Sequence, residues 1–173
     1  MKNILPLFIF YFLSLNTCSQ KNKVVVLNNE QGIQLVVNET NFIINGMNWD
    51  YFPIGTNYTY SLWEQTDDFI KSVLDTEMTL LKEMGVNSIR VYVGIQPKWI
   101  AYIYESYGIY TMINHSFGRY GLLINGVWVP SINYGSVEVQ KVLIEQVSKM
   151  AEEYKNTPGL LLYLLGNESN YGL

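Results

Sequence analysis

Leu160-Leu161-Leu162-Tyr163-Leu164-Leu165-Gly166-Asn167-Glu168 runs six apolar residues straight into a glycine, an amide and a carboxylate. An unbroken apolar run between Pro158-Gly159 and Gly166 predicts a strand buried on both faces, as in a parallel sheet. Upstream, Ser136 is placed to cap a helix to about 156, with Val139, Leu143, Val147, Met150 and Tyr154 at inward spacing. A long loop over 116–135, rich in glycine and aromatic residues, precedes that helix. Before the loop lies a strand over 109–114. Before that, a helix begins at Pro97, where a missing N–H is harmless, and stops at Gly108.

The same pattern continues toward the N-terminus. Residues 86–93 form a β-branched strand. A helix over 68–84, capped by Thr66 or Asp67 and ended by Gly85, has Phe69, Val73, Leu80 and Met84 on one row, with Ile70, Leu74 and Leu81 beside it. Asn45-Gly46 is a turn signal, yet 43–49 also reads as one strand with Gly46 inside it, and that second reading is preferred. Residues 32–37 and 40–44 read as a small β-hairpin around Asn38-Glu39. Strands alternating with helices argue for a parallel α/β sheet, either doubly wound or closed as a (β/α)8 barrel. No glycine-rich phosphate loop follows any strand, so nucleotide binding has no support. Polar and aromatic residues gather where strands end: Asn48 and Trp49, Arg90 and Tyr92, Asn114 and His115, Asn167 and Glu168. In a barrel that rim is where chemistry is built.

The 173 residues are 49% apolar and 15% charged, with a net charge of −4, so one domain with a real core is expected and nucleic-acid binding is not. Aromatic residues make up 14% of the chain, dominated by 14 tyrosines, which suits a Tyr-rich core or a surface that stacks on sugar rings. His115, the single histidine, has neither companion metal ligands nor triad partners. No metal or cofactor is called for.

Several segments resemble a known family. Phe42-Ile43-Ile44-Asn45-Gly46-Met47-Asn48-Trp49 is similar to the first barrel strand of glycoside hydrolase family 2 catalytic domains. Residues 80–90 resemble their first helix and second strand, 108–113 their third strand, and Gly166-Asn167-Glu168 the motif after the fourth. The same order also resembles fungal-type β-1,3-glucanosyltransferases of the same barrel clan. The implied fold is α/β, a TIM (β/α)8 barrel truncated to about the first four βα units, with a small N-terminal β-hairpin. The implied activity is retaining hydrolysis of O-glycosidic bonds in poly- or oligosaccharides. Transglycosylation within the clan and non-catalytic glycan binding at the cell surface are the alternatives.

By that resemblance Glu168 is the general acid/base, Asn167 holds the sugar 2-hydroxyl, and Arg90 lies beside the nucleophile. Retaining cleavage needs two carboxyl groups about 5–5.5 Å apart, one protonated and one ionised. Burial at a strand end raises a carboxyl pKa, which suits Glu168, and a neighbouring Arg90 would keep the other ionised. The nucleophile is expected from a seventh strand, beyond the end of this sequence. Glu64 and Asp67 lie near the rim but nothing sets them opposite Glu168; Glu105 and Glu138 read as helix-surface charges. Asn48, Trp49 and His115 are further candidate substrate contacts, His115 alternatively a strand-end cap. Trp49, Tyr51, Trp128 and Tyr171 are each a sugar platform or simple packing.

The N-terminus reads as an export signal over 1–17, with Lys2 followed by an apolar stretch too short to span a bilayer. Leu15-Asn16-Thr17-Cys18 resembles a bacterial lipobox, in which Cys18 is lipidated; ordinary cleavage nearby, with Cys18 incidental, fits too. A tether over 18–31, carrying a short strand at 24–27, then leads into a partial barrel over 32–173. The expected setting is the cell envelope, periplasm or exterior, with membrane contact only through the lipid anchor.

Overall fold

A computed structural model describes residues 22–92 and 94–167. Cys18, Glu168 and Tyr171 lie outside the described residues.

Two sheets and a hairpin are built around three helices. β1 (Val24–Asn29), β2 (Gly32–Val37) and β3 (Thr40–Asn41) form an antiparallel sheet in chain order. The strand expected at 24–27 therefore runs further, and every one of its residues pairs with β2. Residues 24–29 are a sheet edge and not a loose tether. Asn22 fixes its start: its Nδ2 donates to the Tyr104 hydroxyl at 2.9 Å, and its Oδ1 accepts from Gly159 N at 2.7 Å.

The second sheet is parallel, in the order β4 (Gly46–Asn48), β5 (Ser88–Tyr92), β6 (Tyr110–His115) and β9 (Leu160–Leu165). α1 (Asp67–Glu83), α2 (Pro97–Tyr107) and α3 (Val137–Tyr154) provide the crossovers that parallel strands require. Thr66 caps α1 by accepting from Phe69 N, and Asp67 and Asp68 oppose the positive end of the helix dipole. Gly108 ends α2 in the left-handed conformation, at φ 71°.

The buried face of α1 is Ile70, Val73, Leu74, Met78 and Leu81. Phe69, Leu80 and Met84, from the first of the two apolar rows, are exposed. Two apolar rows lie side by side on this helix, and the one centred on Leu74 and Met78 meets Ile89, Ile100 and Ile113 in the main core. Asp75 ties α1 to α2: it pairs with Lys71 and accepts from the hydroxyls of Tyr102 and Tyr107.

β4 is shorter than the expected 43–49 strand and begins at Gly46. The preceding segment is held by one backbone bond, from Asn87 N to Asn45 O at 3.0 Å, and otherwise by side chains. Asn87 Oδ1 accepts from Asn45 N, Asn87 Nδ2 donates to Ile43 O, and Asn45 Nδ2 donates to Gly85 O. A Cβ at Gly46 would sit 2.9 Å from Ser88 Oγ, so the close approach of β4 to β5 needs glycine.

β9 is half-buried and not buried on both faces; of its residues only Leu161 is fully enclosed, and Leu165 is exposed. Among the described residues it pairs with β6 alone. Its inner face is covered by the N-terminal sheet, where Val37, Leu35 and Phe42 pack with Met112, Leu161 and Leu162. The stretch expected as a plain loop at 116–135 contains a hairpin, β7 (Leu122–Ile124) and β8 (Val127–Val129). Its turn is Asn125-Gly126, both at positive φ, as a two-residue hairpin of primed type demands.

Candidate active site

All four parallel strands point the same way, so their C-terminal ends form one rim. Side chains alternate between the faces of each strand. Asn48 is in register with Arg90, and Tyr92 with Asn114, on the face away from α1 and α2. Arg90 extends along that face toward the rim. Its Nη2 donates to Asn114 Oδ1 and to Asn167 Oδ1, each at 2.7 Å. Its Nε reaches the same Asn114 oxygen at 3.1 Å, and Nη1 reaches Asn48 Oδ1 at 3.4 Å. One half-buried guanidinium thus gathers amides from the ends of β4, β6 and β9. The ring of Tyr92 lies 5.4 Å from the guanidinium carbon.

Asn167 is held from a second side. Its Nδ2 donates to the Tyr120 hydroxyl at 3.2 Å. With Oδ1 on Arg90 and Nδ2 on Tyr120, the amide plane is fixed, and among the described residues its second N–H has no partner. Among the described residues no carboxylate pairs with Arg90; the three ion pairs are Lys71–Asp75, Lys98–Asp67 and Lys155–Glu152. A partly desolvated cation ringed by neutral amides stabilises an anion brought to it.

The other expected site residues lie elsewhere. His115 alternates away from Asn114 and borders a recess with Gln146, Lys149, Met150 and Glu153 of α3. Its Nδ1 accepts from Phe117 N at 3.0 Å, and burial holds its pKa below the ordinary histidine value. The strand-end reading of His115 is the one this geometry matches. Trp49 is 7% exposed and packs in the main core against Trp63, with its Nε1 unpartnered. It belongs to the main core and also borders a recess with Tyr60, Trp63 and Tyr92. Tyr51 is half-buried against Tyr60. Asp67 is taken up by Lys98 at 2.5 Å, and Glu138 by the Ser136 hydroxyl at 2.7 Å. Glu64 sits exposed on a 3-10 turn and Glu105 on α2. None of these carboxylates joins the Arg90 cluster.

The sequence from residue 25 to residue 173 matches the family described as glycosyl hydrolases family 2, TIM barrel domain. The chain belongs to that family. The β-galactosidase of Leuconostoc mesenteroides subsp. mesenteroides is 25% identical over 141 residues, 80% of this chain and 12% of that protein. The β-galactosidase of Lactococcus lactis subsp. lactis is 24% identical over 140 residues, with the same coverage. Among solved structures, the Parabacteroides merdae β-glucuronidase superposes with a TM-score of 0.53 at 18% identity, over 86% of this chain and 16% of that one. The exo-chitosanase of Amycolatopsis orientalis gives 0.51 at 17%, over 82% and 15%. This family 2 chain therefore spans about an eighth of the length of the curated relatives it matches.

Tyr120 is the residue that the sequence did not single out. It lies in Gly118-Arg119-Tyr120-Gly121, where no periodicity marks which way a side chain turns. Only the folded loop brings its hydroxyl to Asn167.

Proposed function

We propose that this family 2 domain cleaves terminal β-linked O-glycosides by the retaining two-carboxylate route, with Glu168 as acid/base. The observation that carries the reading is the Arg90 cluster, because it fixes Asn167, the residue directly before Glu168, at the barrel rim. In that route Glu168 protonates the glycosidic oxygen while an ionised carboxylate attacks the anomeric carbon and the leaving group departs. Glu168 then takes a proton from water as it hydrolyses the glycosyl ester. The second N–H of Asn167 suits the sugar 2-hydroxyl, where a hydrogen bond strengthens as positive charge develops on the ring. The charge of Arg90 suits keeping the nucleophile ionised. That nucleophile comes from outside the four parallel strands described. β-Galactosides are the first substrates to try, given the names of the curated relatives.

The test is turnover of p-nitrophenyl β-galactoside, β-glucuronide and β-glucosaminide by the domain joined to the strands that complete its barrel. Glu168→Gln lowers kcat by about 10²- to 10⁴-fold, the range of general acid–base catalysis. An unchanged kcat refutes the assignment. Residues 1–173 alone show no Glu168-dependent hydrolysis; if they do, the nucleophile is inside them and that part of the proposal is wrong. We also propose export with lipidation at Cys18, in which case Cys18→Ser releases the protein from the membrane fraction.

A further inference from the structure

The β7–β8 hairpin has two unlike faces. Leu122 and Ile124 pack with Val139, Leu143 and Val142 of α3, which anchors the hairpin to the barrel. Leu123 and Trp128 are cross-strand partners on the opposite face. Both are 58% exposed. The first face is taken up by α3.

The backing of Trp128 is specific. A Cβ on Gly121 would lie 2.7 Å from Trp128 Cζ2, 2.9 Å from Cε2 and 2.7 Å from Val129 O. Gly121 also holds φ at 110°, which side chains rarely adopt. Glycine here lets the indole lie directly on the backbone, with its outer surface turned to solvent. The residue before Gly121 is Tyr120, whose hydroxyl holds Asn167. The glycine that backs Trp128 is thus next in the chain to the tyrosine that orients the rim amide. The guanidinium of Arg119 lies 5.6 Å from the Tyr120 ring centre.

We propose that Trp128, backed by Gly121, is a stacking platform for the second pyranose ring of an oligosaccharide whose first ring sits at Arg90 and Asn167. This rests on the carbohydrate reading above and adds a subsite to it. The apolar C–H face of a pyranose matches an exposed indole in size and shape, while its hydroxyls remain at the edge for water. The alternative occupant, a second copy of this chain, would bury the Leu123–Trp128 face in a dimer.

The experiment uses Glu168→Gln protein, so that bound sugar is not turned over. Tryptophan fluorescence is titrated with lactose against methyl β-galactoside, and with chitobiose (the glucosamine dimer) against methyl β-glucosaminide. The expected result is that Trp128→Ala weakens a disaccharide by about fivefold to tenfold, the scale of one aromatic contact. Its methyl glycoside is unaffected. Trp128→Phe restores part of the loss. Gly121→Ala, which pushes the indole off its backing, weakens the same ligand with the tryptophan still present. Equal loss for both ring lengths, no loss, or no disaccharide binding by the parent protein overturns the platform. So does a concentration-dependent dimer abolished by Trp128→Ala. Selective disaccharide loss alongside unchanged hydrolysis on Glu168→Gln would keep the platform and remove the acid/base assignment; the reverse pattern would do the opposite.

Discussion

Replacing Arg90 by methionine keeps an unbranched apolar stem without the guanidinium and removes every donor. Asn114 is 1% exposed, and its Oδ1 takes two of the Arg90 hydrogen bonds, at 2.7 and 3.1 Å. An amide oxygen left buried without a partner loses about 1–3 kcal/mol, and a hydrogen bond to a charged group contributes about 1.5–3 kcal/mol net. The 3.4 Å contact to Asn48 adds little. Relief of guanidinium desolvation offsets part of the loss, because Arg90 is half-buried. The expected net destabilisation of Arg90→Met is therefore about 2–3 kcal/mol. Asn114→Leu alone leaves the cation short of its main acceptor and destabilises by a similar amount. The double variant removes the polar groups on both sides, so its loss is close to that of either single change and not to their sum. Urea unfolding followed by far-UV circular dichroism at pH 7 measures all four proteins, and the cycle should give a coupling of about 2 kcal/mol. Additivity within about 0.5 kcal/mol would show that Arg90 and Asn114 are not one buried unit. An Arg90→Met protein as stable as the parent would refute the reasoning outright.

Asp75 offers a pH test. Its hydrogen bond and ion pair with Lys71, followed by the hydroxyls of Tyr102 and Tyr107, lower its pKa from 3.8 to about 2. A depressed carboxyl pKa contributes stability that is complete above about pH 4 and is lost as pH falls toward 2. The side chain is 39% exposed, so solvent screening reduces the contribution to about 1 kcal/mol. Asp75→Asn should flatten the stability profile between pH 4 and 2, and an unchanged acid profile would count against the α1–α2 link. Gly159 holds φ at 80°, and any Cβ there collides with Tyr104. Gly159→Ala should lower stability by about 2–4 kcal/mol, combining the backbone penalty with overpacking; a thermal midpoint within a degree of the parent would contradict it.

Much of the barrel was legible in local chemistry. Pro97 and Gly108 bracket α2 at its observed ends, and Thr66 caps α1, because capping and φ restriction act over a few residues. The buried face of α1 was not legible, since two apolar rows one residue apart are equal until a neighbour covers one of them. The β7–β8 hairpin was missed although Asn125-Gly126 signalled it, because its three-residue strands are too short to show alternation. Arg90 and Asn167 were chosen by motif, and the structure places them 2.7 Å apart. Trp49 was chosen by the same reasoning and is core.

The sequence by itself determined the strand–helix order, the parallel sheet and the family, because apolar periodicity, breakers and the Gly166-Asn167-Glu168 motif are local properties. Only the tertiary structure decided which polar side chains share a face. Arg90 draws Asn48, Asn114 and Asn167 together across 42, 24 and 77 residues. The register that aligns these strand ends, and the alternation that turns His115 away, exist only once the strands are paired.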